Sequence, residues 1–198
     1  MNDTTSTDPV SISRRKPSRV PRRLRGHLSL DDFERSARRF LPKSIFGYVS
    51  GGVETDASLR ANRAAFEHIG LQPRILQDVS QRSLETRLFD QSYPVPFGVA
   101  PMGFSALAAF DGDVVLARGA ASAGSFAICS AASLTPLERV AREGGSRWFQ
   151  AYIPGNMARI EPLLKRVSAA GFDHLVVTGD VPVAGNRENN ARNGFDAP

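Results

Sequence analysis

The sequence holds one cysteine, Cys129, among 198 residues. A single thiol permits no internal disulfide and no multi-cysteine zinc site. Its three histidines, His27, His68 and His174, are scattered without ligand spacing, so no metal is expected. Long apolar runs are also missing. The longest, Phe104–Phe110 with Ser105 inside it, falls far short of a membrane span. The basic residues near the N-terminus have no apolar stretch behind them, which argues against a Sec signal peptide. A reducing, cytoplasmic setting is therefore expected. Most of the chain also lacks surplus charge. The net charge is +5, but residues 1–28 carry seven cations (Arg14, Arg15, Lys16, Arg19, Arg22, Arg23, Arg25) against Asp3 and Asp8, which leaves 18 charges of each sign from residue 29 onward. A neutral body with a basic arm argues against a folded nucleic-acid binder.

What is present suffices for a core: 41% of residues are hydrophobic, which excludes a disordered chain. Residues 1–28 show no apolar period and are expected to be a disordered, solvated arm. Contact of its arginines with anionic lipid at the inner membrane face, or with nucleic acid, is the sharper alternative. Residues 29–94 are expected to be an N-terminal helical segment and lead-in. Ser29-Leu30-Asp31-Asp32 has the form of a capping signal, with Phe33, Ala37 and Phe40 following at helical spacing. Pro42 opens a second helix to Val49, which Gly51-Gly52 stops, and Asp56 caps a third through Leu59, Ala65 and Phe66.

From residue 95 the rhythm changes. Strand-like runs at Val95–Ala100, Phe126–Ser130, Arg147–Ala151 and His174–Thr178 alternate with helical patterns near 112–123, 135–143 and 156–170. Such alternation predicts an α/β fold with a parallel sheet. A closed (β/α)8 barrel at this spacing needs about 210 residues from the first strand, and 104 remain. If this is a (β/α)8 protein, residues 95–198 hold four βα units, about half of the barrel.

Parallel α/β folds gather chemistry at the carboxyl ends of their strands. Those ends hold Pro101-Met102-Gly103, Ser130, Gln150-Ala151-Tyr152 and Thr178-Gly179-Asp180, with Gly185-Asn186-Arg187 beyond. Gly103 allows backbone to approach a ring, Ser130, Gln150 and Thr178 can donate to heteroatoms, and Arg187 can meet a carboxylate bidentately. That set suits a flat, polar-edged cofactor and an anionic substrate. The dinucleotide, P-loop, zincin and serine-hydrolase motifs do not occur.

In order along the chain, Leu41-Pro42-Lys43, Tyr48 with Gly52, Asn62-Arg63, Pro73-Arg74-Ile75-Leu76, Ala100-Pro101, Ala117-Arg118, Phe149-Gln150-Ala151-Tyr152, Thr178-Gly179-Asp180-Val181-Pro182 and Arg187 form a pattern. It resembles the FMN-dependent α-hydroxy-acid dehydrogenases and oxidases, which include glycolate oxidase, L-lactate dehydrogenase and mandelate dehydrogenase. The resemblance implies a TIM-barrel fold, FMN as cofactor and oxidation of an L-α-hydroxy acid to the α-keto acid. By that resemblance Pro101, Met102 and Gly103 lie beside the flavin, and Ser130, Gln150 and Thr178 bond its ring. Tyr48 binds the substrate carboxylate, Tyr152 stands near the substrate hydroxyl, Asp180 orients the histidine base, and Arg187 is a cation beside substrate. Gly103 replaces the alanine common in oxidases, which favours an electron acceptor other than oxygen. Asn190 stands where the family usually has Asp.

The family's histidine base, flavin-contacting lysine and main carboxylate arginine belong to later strands, so the 198 residues are expected to be inactive alone. The family typically forms homo-oligomers. The alternative from another class is a non-catalytic half-barrel that pairs with a second chain, or a basic-arm adaptor.

Overall fold

A computed structural model describes residues 21–196 apart from Ser146, Pro154 and Pro182. Arg14, Arg15, Lys16 and Arg19 of the basic arm, and Pro182 after Asp180, lie outside the described residues. The chain divides into two units, Met1–Phe40 and Leu41–Pro198.

In the first unit a 3-10 turn (Arg22–Leu24) precedes helix α1 (Leu30–Phe40). Among the described residues, local structure is thus present ahead of Ser29. The His27 ring lies 4.4 Å from that of Phe33, and its Nε2 is 2.8 Å from Ser36 Oγ. The capping signal works through its acidic member. Asp32 Oδ2 accepts from the Leu28 and Ser29 amides at 2.7 and 2.8 Å, and these bonds, Ser29 foremost, hold its carboxyl below the usual range.

The second unit opens with α2 (Lys43–Ser50), for which Pro42 is the N-cap, and α3 (Ala57–Ala64), which tightens into a 3-10 turn over Ala65–His68. Asp56 is the N-cap residue of α3, as expected, but its side chain does not cap the helix. Its Oδ1 instead accepts from the Gly52 amide at 2.7 Å, and its own backbone is left-handed (φ 58°). A short antiparallel hairpin follows, β1 (Thr86–Leu88) and β2 (Gln91–Tyr93). Then come α4 (Ser105–Ala108), α5 (Gly112–Ser122), β3 (Ala127–Ser130), α6 (Leu137–Ala141), β4 (Arg147–Ala151), α7 (Met157–Ala169), β5 (His174–Val177) and α8 (Glu188–Arg192).

Strands β3, β4 and β5 pair in parallel in that order. The expected first strand at 95–100 is not one. Only Val99 bridges to Ala127, its N–H donating to Phe126 O (2.9 Å) while its carbonyl accepts from Ile128 (3.0 Å). Pro94 and Pro96 have no N–H to give to a ladder, and a Cβ at Gly98 would stand 2.6 Å from the Phe126 ring. Among the described residues the sheet has three strands and an isolated bridge, and it does not close.

Period-two alternation gives the two sheet faces different tasks. Cys129, Phe149 and Ala151 face the helices and build the core with Val114 and Ala117 of α5, Leu137 and Val140 of α6, and Val167 of α7. Bidentate ion pairs Arg118–Glu143 and Arg166–Glu138 lie outside that core, and each holds its glutamate below the usual carboxylate range. On the opposite face, Phe126, Trp148 and His174 stack in a row at the amino ends of the strands, at 4.7 and 4.5 Å. The hairpin closes this end. Phe89 lies against Trp148 and His174, Tyr93 against Phe126, and Gln91 donates to Asp173 at 3.3 Å. Two residues along β4, at Gln150, the same face becomes polar.

Candidate active site

At the carboxyl edge Ser130, Gln150 and Thr178 are joined across all three strands. Ser130 Oγ donates to Gln150 Oε1 at 3.0 Å, and Gln150 Nε2 donates to Thr178 Oγ1 at 2.8 Å. Ser130 Oγ also accepts from the Ala132 amide at 3.1 Å. Gln150 is 2% exposed and Ser130 4%. Buried side chains of this polarity are tolerated because they are paired. The register places them so: Ser130 is directly opposite Gln150.

Beside this edge lies an open cleft of about 280 Å³, whose walls include Tyr48, Pro101, Met102, Gly103, Phe104 and Arg187. Five of the expected site residues meet here although they are up to 139 positions apart. The wall at 101–104 is tied to the loop after β3, since the Phe104 amide donates to Ala132 O at 3.0 Å. A Cβ at Gly103 would stand 3.0 Å from Ala132 Cβ, so the missing side chain admits this loop. The loop is held in turn from α5, where Asp113, itself buried, accepts from Ser133 Oγ at 2.7 Å.

Tyr48 and Arg187 come together because the segment after β5 docks on the end of α2. Arg187 Nη2 donates to Tyr48 O and, at 2.9 Å, to Gly51 O, and its guanidinium lies 4.8 Å from the Tyr48 ring centroid. This corrects one expectation. Both carboxylate-matching edges of a guanidinium, Nη1 with Nη2 and Nε with Nη2, require an Nη2 hydrogen. Here both Nη2 hydrogens serve the helix, so bidentate pairing is closed while Nη1 and Nε remain. Among the described residues Nε is buried and without a partner.

Tyr152 and Asp180 are not brought into the cleft. Tyr152 follows β4 and is 52% exposed, and Asp180 lies exposed beyond β5. His68 is exposed on its 3-10 turn, and His174 is committed to the aromatic row at the far end of the strands. Neither stands in the cleft. Sequence reasoning missed Asn189, Asn193 and Phe195. Asn189 Nδ2 donates to Gly47 O at 2.7 Å, and Phe195 stacks on Tyr48. Asn193-Gly194 is a helix-stop signal that could have located α8. Among the described residues Asn190, the family departure, has its Oδ1 buried without a partner.

The described residues thus form a parallel α/β sheet whose polar carboxyl rim stands beside an open cleft. Residues 37–198 match the sequence family described as FMN-dependent dehydrogenase, and the chain belongs to that family. It is 39% identical to a 4-hydroxymandelate oxidase of Amycolatopsis orientalis, over 87% of this chain and 48% of that protein. It is also 39% identical to an L-lactate oxidase of Nostoc sp. (86% and 48%) and 38% identical to an L-lactate dehydrogenase of Pseudomonas paraeruginosa (84% and 44%). A solved mandelate oxidase with benzoyl-formic acid superposes with a TM-score of 0.83 at 38% identity, over 87% of this chain and 51% of that one. The chain spans about half the length of the curated relatives it matches.

The family is FMN-dependent, and the residues present fit that group. Among the described residues Gln150 Nε2 keeps one hydrogen after serving Thr178, and no acceptor takes the Thr178 hydroxyl hydrogen. No hydrogen bond among the described residues engages the Met102 and Gly103 amides on the cleft wall. Among the described residues no helix is long and apolar enough to cross a membrane.

Proposed function

We propose that this chain supplies one half of a flavin site at which an L-α-hydroxy acid of the lactate, mandelate or glycolate kind is oxidised to the α-keto acid. The observation that carries the reading is the cleft itself, in which Tyr48, Pro101, Met102, Gly103 and Arg187 line one wall system beside the Ser130–Gln150–Thr178 edge. In this reading Ser130, Gln150 and Thr178 hold the polar edge of FMN, and the Pro101–Gly103 backbone lies along it. FMN, when bound, supplies the two-electron acceptor for the hydroxy acid.

The chain's own residues bind and orient. Tyr48 donates its phenol hydrogen to the substrate carboxylate, and Arg187 offers a single N–H contact from Nη1. Tyr152 meets the substrate hydroxyl once the site is complete, and Asp180 accepts from the histidine that the family places on a later strand. That histidine removes the proton. The eventual electron acceptor is a carrier other than oxygen, an assignment that rests on Gly103. The Ala132 contact gives this glycine a packing cause of its own, so the acceptor is decided by comparing turnover with dioxygen and with a dye.

FMN titration followed by substrate addition tests the reading. The chain is expected to quench FMN fluorescence on binding. L-mandelate, L-lactate or glycolate should then bleach the flavin only when the histidine-bearing half of a family relative is added in trans. Failure to bind FMN under both conditions overturns the proposal.

A further inference from the structure

The side chain that fixes Tyr48 most directly is one that no motif marks. Helix α8 ends in a left-handed glycine, Gly194 (φ 62°). Around it the Phe195 amide donates to Asn190 O at 3.0 Å and the Gly194 amide to Ala191 O at 3.2 Å. That pair of bonds is the Schellman arrangement, which reverses the chain and throws the next side chain back over the helix. The Phe195 ring therefore meets the Tyr48 ring, stacked at 4.6 Å with 27° between planes. Arg187 stands 4.8 Å from the same ring centroid, and Phe104 lies 6.0 Å away, tilted.

A tyrosine on the last turn of a helix beside an open cleft has two free torsions, and both must be set if its hydroxyl is to meet a ligand reproducibly. The backbone of this turn is held by Arg187 on Tyr48 O and Gly51 O, and by Asn189 on Gly47 O. The ring needs a separate constraint, and stacking supplies it.

We infer that Phe195 is a positioning residue: by stacking on Tyr48 it holds the phenol against Arg187 and so sets where the Tyr48 hydroxyl stands in the cleft. This rests on the reading that Tyr48 binds the carboxylate of an α-hydroxy acid. Phe195 acts only through Tyr48.

The test uses the full chain carrying ring-labelled tyrosine, with Tyr48 signals identified by their loss in Tyr48→Phe. Two quantities are read: the nuclear Overhauser contact between the Tyr48 ring and the Arg187 side chain, and the Kd for L-mandelate from the Tyr48 signal. Phe195→Leu is expected to abolish the contact and raise Kd about tenfold, whereas Phe195→Tyr, which keeps a ring, restores both. Phe195→Met replaces the leucine variant if that one does not fold. Retention of the Tyr48–Arg187 contact in the ringless variant overturns the inference, as does an unchanged Kd. If L-mandelate, L-lactate and glycolate all leave the wild-type Tyr48 signal unmoved, the carboxylate role of Tyr48 fails. The Arg187 contact alone then decides whether Phe195 positions the ring.

Discussion

Gly47 offers a test in which the sign of the effect separates helix propensity from tertiary packing. It lies inside α2 and is buried. On propensity alone, Gly47→Ala should stabilise the helix by about 1 kcal/mol. The structure predicts the reverse. A Cβ built on Gly47 stands 2.3 Å from Asn193 Nδ2 and 3.3 Å from Asn189 Nδ2. Asn193 can swing away, being the end of a side chain, but it then gives up its bonds to Asn189 O (2.8 Å) and Oδ1 (2.9 Å). The Asn189 bond to Gly47 O at 2.7 Å is pressed at the same time. Two to three part-buried bonds at about 1 kcal/mol each, less the propensity gain of about 1 kcal/mol, leave a net loss of about 1–2 kcal/mol. Urea unfolding followed by far-UV circular dichroism reads this as a lower midpoint with an unchanged slope. Asn193→Ala removes the obstacle, so in that background Gly47→Ala should turn neutral or stabilising. A Gly47→Ala protein more stable than wild type would refute the reasoning and show that α8 does not press on α2 as described.

Three further outcomes follow from the same geometry. Gln150→Leu removes the centre of the Ser130–Gln150–Thr178 chain and should cost about 1–3 kcal/mol in unfolding free energy together with FMN affinity, checked by urea titration and flavin fluorescence. Burial foremost, and the charge of Asp113 next, push the Cys129 thiol up to about 12. The unfolded thiol titrates near ~8.5, so the folded state holds its proton longer and stability falls as pH rises from there towards 12. The urea midpoint difference between wild type and Cys129→Ala should narrow between pH 7 and pH 10.5, and a constant difference would count against it. Deleting residues 1–28 removes the whole surplus of +5 and should abolish any salt-sensitive association with anionic vesicles in a sedimentation assay, with equal sedimentation of both forms as the contrary result.

How far the sequence disclosed this molecule depends on which interactions made each part. Strands β3, β4 and β5 fall within one residue of their expected bounds, and α5, α6 and α7 within two, because each is written in local apolar periodicity. The run at 95–100 is equally apolar yet forms a single bridge, since prolines at 94 and 96 remove donors that hydropathy does not register. The hairpin over 86–93 was invisible for the opposite reason. Its turn places Phe89 in the left-handed region (φ 53°), where no glycine or asparagine advertises it, and tertiary stacking on Trp148 and His174 holds the ring there. The candidate site divides in the same way. Ser130, Gln150 and Thr178 were legible because strand ends are, and their mutual bonding follows from register. Arg187 was legible as a residue but not as a bond pattern. Its Nη2 hydrogens are taken by the end of a helix 136 to 139 positions away, and nothing local to Arg187 encodes that. Phe195 was not legible at all, because its importance comes from a glycine that turns the chain back onto a tyrosine far upstream. Residues whose role depends on a distant partner's geometry leave no period in the sequence, and in this cleft they are the ones that aim the side chains that motifs can name.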